Sequence, residues 1–156
     1  MTIRLVAAES HDHWRQARQF VEEYAASLDV DLSFQNFGHE VEHLATEYSA
    51  PAGLFLLAEE NGIFIGCIGL RRFADGVGEI KRLYVSPAGR GRGVGRFLIE
   101  GLLLAAKRLS YARLVLDTLP SMKDAQKLYA SLGFNPTAPY RFNPVPGTAY
   151  LEKVLR

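Results

Sequence analysis

Residues Arg90-Gly91-Arg92-Gly93-Val94-Gly95-Arg96 place three glycines and three arginines between an apolar segment ending near Val85 and a segment of helical periodicity. From Val94 the positions Val94, Phe97, Leu98, Gly101, Leu102, Ala105 and Leu109 recur at three and four, which predicts an amphipathic helix to about Leu109. A strand feeding a glycine-rich turn and then a helix constrains the chain to a layered α/β arrangement. The turn also has a chemical meaning. The first turn of a helix carries unpaired N–H groups and the positive end of the dipole, and glycines let that backbone approach an anion without a Cβ in the way. Three arginines add bidentate donors. The segment reads as a pyrophosphate site, and a flexible basic turn is the plain alternative.

Two familiar phosphate sites do not fit. No Gly-Lys-Ser/Thr closes the turn, and there is no Gly-x-Gly-x-x-Gly run followed by a strand-borne acid about 20 residues on. The formal net charge of +1 gives no global attraction to nucleic acid or to an anionic membrane surface. No apolar run approaches the roughly 20 residues of a membrane span. A single cysteine, Cys67, excludes an internal disulfide, and the start of the sequence lacks a basic-then-apolar leader, so a cytoplasmic setting is expected. The 156 residues, 48% of them hydrophobic, suit one domain spanning 1–156.

The remaining pattern alternates strands and helices. Thr2–Ala7 reads as a strand, and Ser10 as the N-cap of a helix to about Leu28 with the stripe Trp14, Ala17, Phe20, Val21, Tyr24, Leu28. A second helix is expected from about Asn36 to Tyr48, with Val41, Leu44, Ala45 and Tyr48 inward. Leu54–Glu59 and Ile63–Arg71 form a hairpin through Asn61-Gly62, and Asp75-Gly76 turns into Val77–Val85. Arg113–Asp117 is a short buried strand. Ser121 and Asp124 resemble a capping box for a helix that buries Met122, Ala125, Leu128, Tyr129 and Leu132 and stops at Gly133. A last strand covers Thr148–Val154.

The strand before the glycine turn carries Glu79, Lys81 and Arg82 among apolar residues, and charges are rarely buried unless paired or functional. Strict alternation puts Glu79, Lys81, Leu83 and Val85 on one face and Ile80, Arg82 and Tyr84 on the other. A bulge would change that sorting, and an edge strand would turn the charges to water.

Glu79-Ile80-Lys81-Arg82-Leu83-Tyr84-Val85 followed by Arg90-x-x-Gly93-x-Gly95 resembles the acyl-CoA-binding motif of the GNAT superfamily of N-acyltransferases. Leu114–Thr118 and then Ala125-x-x-Leu128-Tyr129-x-x-Leu132-Gly133-Phe134 resemble its next strand and helix, so residues 54–134 are covered in detail. The resemblance implies a mixed, mostly antiparallel sheet of about six to seven strands with helices on both faces. It implies acetyl-CoA as cosubstrate and no metal. Leu83, Tyr84 and Val85 would pair with the pantetheine arm, and the amides of Gly91, Arg92, Gly93, Val94, Gly95 and Arg96, with Arg90, would hold the pyrophosphate. By the same resemblance Ala125 would face this ligand. Met122 stands where the family often carries a pantetheine-binding Asn, and Ser121 is the candidate replacement. In the reaction so implied an amine attacks the thioester directly, with Val85 N–H steadying the oxyanion. Tyr129 would assist the thiolate, and Glu79 or water would take the amine's proton. For Tyr129 a core tyrosine, and for Glu79 an ion pair with Lys81, Arg82 or Arg71, are the structural alternatives.

His39-Glu40-Val41-Glu42-His43 matches the zinc-peptidase pattern His-Glu-x-x-His, but Glu42 stands where such helices are apolar and no third ligand has an obvious placement beyond Glu47, Glu59 or Glu60. A solvated or acceptor-facing helix is the expected reading. The loop from Pro139 to Gly147, with Arg141, suits either an acceptor lid or a plain connection. Cys67 reads as a buried apolar side chain. The expected acceptor is a small-molecule amine or peptide, a homodimer is left open, and neither nucleic acid nor membrane is expected as a partner. A non-catalytic acyl-CoA-binding regulatory module is the alternative from another class.

Overall fold

The computed structural model describes residues 2–28 and 30–155. Its elements in chain order are β1 (Ile3–Ala7), α1 (His11–Ser27), a 3-10 turn at Leu32–Gln35, α2 (Phe37–Glu42) and α3 (Leu44–Glu47). Then come β2 (Leu54–Glu60), β3 (Ile63–Ala74), β4 (Val77–Val85), a 3-10 turn at Pro87–Gly89 and α4 (Val94–Arg108). The chain ends with β5 (Arg113–Thr118), α5 (Lys123–Ser131), β6 (Asn135–Pro136) and β7 (Ala149–Val154).

The seven strands form one sheet in the order β1-β2-β3-β4-β5-β7-β6. Every neighbouring pair is antiparallel except β4 and β5. That parallel pair is short: only Val77, Gly78 and Glu79 meet Arg113, Leu114 and Val115. Beyond these residues β4 and β5 part, opening a V in the middle of the sheet. The short strand β6 carries no alternation that the sequence reveals.

Local chemistry explains most boundaries. Ser10 Oγ accepts the His13 amide at 3.1 Å while His13 Nδ1 accepts the Ser10 amide at 3.2 Å, a capping box that uses imidazole in place of a carboxylate. Asn61 (φ 53°) and Gly62 (φ 81°) both take the left-handed conformation that the β2–β3 hairpin turn demands. The helix expected from Asn36 to Tyr48 is instead two short helices, broken at His43 (φ −129°, ψ 31°). Residues eight apart lie about 12 Å apart along a straight helix. The break lets Tyr48 Oη donate to Glu40 Oε2 at 2.9 Å, and it leaves Ala45 exposed, against expectation.

Strand β4 departs from strict alternation at Arg82, a non-glycine residue with φ 62°. Gly69 pairs with Lys81 and Cys67 with Tyr84, so two steps on β3 match three on β4: a bulge. Leu83 and Val85 therefore pack with Ile80 on the α4 side, the reverse of the expected sorting, while Tyr84 joins the core under α1. Strand β4 is also central rather than an edge, and Glu79 (0% exposed), Lys81 (5%) and Arg82 (4%) lie inside the protein.

Two cores flank the sheet. One joins Val94, Leu98, Ile99, Leu102 and Ala106 of α4 and Tyr129 of α5 to Leu56, Ile68, Leu70, Leu114 and Leu116. The other joins Ala17, Phe20 and Val21 of α1 and Val41 and Leu44 to Phe55, Leu57 and Cys67. Each fully buried large side chain stabilises the fold by about 1.5–3 kcal/mol.

Candidate active site

An open groove of about 470 Å³ runs from the V to the start of α4. Its walls include Leu83, Tyr84, Val85, Arg90, Gly91, Gly93, Val94, Gly95, Arg96 and Ala125, ten of the residues expected at a cofactor. Tyr24, Ser27, Gly89, Met122, Asp124 and Leu128 complete the walls. Two expected residues lie elsewhere. Arg92 turns to the Glu60 carboxylate and the Ala88 carbonyl. Ser121 is exposed outside the groove; α5 starts after Met122 with no side-chain cap, so the expected Ser121–Asp124 capping box does not form. Met122 N instead closes a turn on Leu119 O at 3.0 Å, which carries Ser121 outward and Met122 into the wall.

The backbone is arranged for an anion at one end and an extended chain along the side. Gly91 (φ 74°) and Gly93 (φ 77°) take left-handed conformations, and the Phe97 N to Gly93 O bond is the first of α4. The amides of Val94, Gly95 and Arg96 thus have no intrahelical acceptor. A Cβ on Gly95 would stand 3.2 Å from Leu128 Cδ2, so glycine permits the approach of α4 to α5. On β4, Ser86 N bonds Ile65 O at 2.9 Å while Arg90 Nε reaches Val85 O at 3.1 Å. The polar backbone groups of Val85 hence face the groove, those of Tyr84 face β3, and those of Leu83 face the groove again. Tyr84 Oη donates to Glu23 at 3.0 Å, with the Arg90 guanidinium over its ring.

A second, smaller cavity of about 40 Å³ lies at the floor of the V. Lys81, Arg82, Asp117, Thr118, Tyr129 and Asn143 supply its polar lining. Tyr24, Leu83, Met122 and Ala125 line both hollows, so groove and cavity meet there. Glu79 pairs with Val115, so two further paired residues would have set Lys81 opposite Asp117; the V separates them, one on each flank. Asp117 Oδ2 accepts Asn143 Nδ2 at 3.2 Å. Burial pushes the Lys81 ammonium down to about 8, and the neighbouring Arg82 adds to this against the pull of Glu79 and Asp117. Burial raises the Tyr129 phenol, and its ring packs edge-on to Phe134 at 5.1 Å.

Glu79 is fully buried and lines neither hollow. Its Oε1 accepts Arg71 Nε at 3.1 Å and Arg141 Nη2 at 2.9 Å, and its Oε2 accepts Tyr140 Oη at 2.7 Å. Arg71 also lies 3.6 Å from both Glu40 and Glu47. Glu40 binds Arg82 with both oxygens; burial alone would raise its carboxyl, but the Arg82 hydrogen bonds and charge hold it below the ordinary value. The Glu of the His-Glu-x-x-His pattern is therefore spent on an arginine inside the protein. His39 and His43 stack on the surface, 4.1 Å between ring centres, and line neither hollow.

Asp117 and Asn143 escaped the sequence reading. Asp117 carried a usable signal, a charge ending a short apolar strand, the same anomaly that marks Glu79 and Lys81. Asn143 carried none, because its place depends on how the late loop folds back.

The sequence matches the acetyltransferase (GNAT) family over residues 13–134. It is 38% identical over 137 residues to an uncharacterized N-acetyltransferase of Schizosaccharomyces pombe, covering 86% of this chain and 84% of that protein. It is 32% identical over 103 residues to an IAA acetyltransferase of Azospirillum brasilense, covering 65% and 67%. The fold is similar to a GNAT acetyltransferase from Staphylococcus aureus Mu50, with a TM-score of 0.82 at 20% identity and coverage of 99% and 100%. It is also similar to yncA of Salmonella typhimurium, solved with its cofactor acetyl-CoA, with a TM-score of 0.68 at 22% identity and coverage of 100% and 95%.

Proposed function

The chain belongs to the acetyltransferase (GNAT) family, and from that premise we propose that it moves an acetyl group from acetyl-CoA to a primary amine of a small molecule or peptide, within a ternary complex. The observation that carries this reading is the meeting of groove and floor cavity at Leu83, inside the V of the sheet. A pyrophosphate on the free amides of Val94, Gly95 and Arg96 directs the pantetheine arm along Val85 and Leu83. The thioester then lies at the junction, with the acceptor amine beyond it in the cavity.

Leu83 borders both hollows whereas Val85 borders only the groove. Its N–H is the better placed donor for the thioester oxygen, where negative charge develops as the amine attacks. The C–N bond forms, the C–S bond breaks, and the thiolate leaves beside Tyr129. A phenol kept protonated by burial donates a hydrogen bond to that sulfur. The amine must also lose a proton. Asp117 lines the cavity, whereas Glu79 lies behind it with three donors already on its oxygens, so Asp117 is the proton acceptor in this reading. The residues present fit acetyl-CoA. A cytoplasmic location suits both this cosubstrate and a chain with one buried thiol.

The test is coenzyme A release by the purified protein from acetyl-CoA, across a panel of amino acids, polyamines, aminoglycosides and short peptides. Release that depends on one class of amine supports the proposal; tight acetyl-CoA binding without acceptor-dependent release sinks it in favour of a binding module. Asp117→Asn should then lower kcat on the order of a hundredfold with the best amine, and acetyl-CoA affinity should hold.

A further inference from the structure

We infer that Glu79 anchors the loop carrying Tyr140, Arg141 and Asn143 against the acceptor cavity, and thereby sets acceptor binding, while taking no part in proton transfer. The inference rests on the acetyltransferase reading for its kinetic consequences and on geometry for its structural ones.

Three observations converge. First, of the three donors on Glu79, Tyr140 and Arg141 belong to the loop between β6 and β7, and Arg71 belongs to β3. Second, the anchored stretch leads at once to Asn143, which lines the cavity and bonds Asp117 at 3.2 Å. The loop is braced on the same side by Tyr150 Oη on Arg141 O at 3.0 Å, and Phe73 packs edge-on to Tyr140 at 4.9 Å. Third, Arg141 Nε is buried without a hydrogen-bond partner, so the bond from Nη2 to Glu79 is the one polar attachment its side chain makes among the described residues.

Arg71 extends the attachment. Its guanidinium spans Glu79 on one side and Glu40 and Glu47 on the other, so the loop and the α2–α3 segment are tied through one cation. A carboxylate with this many donors has high value as a hub and little as a base, because receiving a proton would break bonds to two cations and a phenol. Loss of its charge frees the loop, moves Asn143 from Asp117 and loosens the cavity mouth. The acetyl-CoA groove, formed by other residues, keeps its shape.

The experiment compares wild type with Glu79→Gln and Tyr140→Phe in the full chain. Trypsin cleavage after Arg141 reports loop release directly, since Phe142 beside it is already 80% exposed. Cleavage should accelerate about tenfold in Glu79→Gln and less in Tyr140→Phe. With the best amine of the panel, KM should rise about tenfold, kcat should stay within roughly threefold, and the kcat profile should keep its acid limb. Acetyl-CoA affinity by calorimetry should match wild type. A Glu79→Gln enzyme with unchanged KM, kcat down a hundredfold or so and no acid limb overturns the inference. Unchanged cleavage at Arg141 also overturns it. If Glu79→Gln fails to fold, Tyr140→Phe decides alone, by faster cleavage and raised KM or by neither. If wild type turns over no amine, the acetyltransferase proposal fails separately, and the trypsin readout still judges the anchor.

Discussion

Arg82 holds Glu40 through both arms of its guanidinium, Nε to Oε2 at 2.8 Å and Nη2 to Oε1 at 2.9 Å, with both side chains 2% exposed. The pair ties α2 to the bulge of β4, and Phe37 and Tyr24 cover the cation with their rings. Glu40→Ala would leave a buried arginine with no carboxylate facing it, at a cost of about 3–5 kcal/mol. Urea denaturation checks this. The double variant Glu40→Ala with Arg82→Met should recover part of the loss, because the stranded charge is gone.

Tyr129→Phe separates catalysis from folding. No described residue accepts the phenol's hydrogen bond, so the substitution should leave the melting temperature close to wild type while kcat falls on the order of a hundredfold. Burial raises the Tyr129 hydroxyl and keeps it protonated through the assay range, so any alkaline limb of the rate profile should survive in the variant. A parallel loss of stability and rate would return Tyr129 to a packing role.

Gly93→Ala tests the glycine turn. The methyl meets nothing within 4 Å, but φ is 77°, which costs a side-chain-bearing residue about 1–2 kcal/mol. The melting temperature should fall by several degrees. Acetyl-CoA affinity should fall further, about tenfold or more by calorimetry, because the methyl stands where a pyrophosphate must approach. Equal affinity would place the ligand elsewhere.

Lys81 gives the fold a pH signature. Burial lowers its ammonium from 10.5 to about 8, so between those values the unfolded chain holds a proton that the folded chain has released. Stability from this residue therefore rises with pH across that window, and below it the folded state bears the full cost of a buried cation. Against Lys81→Met, which lacks this proton, wild type should gain stability from about pH 8 to about pH 10, so the gap between the two shifts across that window in urea titrations. A constant gap would mean that Lys81 titrates normally.

The sequence discloses what is local and periodic. The strip from Val77 to Phe134 shows its strands, helices and groove wall because each follows from spacing, a glycine or a turn dipeptide. The partners of Glu79 were less legible. Arg71 is among the partners that the sequence suggests, but Tyr140 and Arg141 lie more than sixty positions away and meet Glu79 only after the chain folds back. The break at His43 was hidden for a similar reason, since the bond between Tyr48 and Glu40 depends on a bend that helical spacing does not announce. Asp117 is visible as an anomaly; its place at the floor cavity depends on β4 and β5 parting after three paired residues.

The extra residue at Arg82 makes this site sensitive to chain length as well as to composition. Deleting one residue from β4 there would remove the offset between Gly69–Lys81 and Cys67–Tyr84. Leu83, Tyr84 and Val85 would keep their present layers, because Ile80, Lys81, Leu83, Tyr84 and Val85 would then alternate without interruption, and the loss would be the local bend of the strand. One added residue after Arg82 acts the other way: it would roll Leu83 and Val85 under α1 and push Tyr84 into the layer beneath α4. For this strand the insertion of a single codon is therefore a harsher lesion than its deletion.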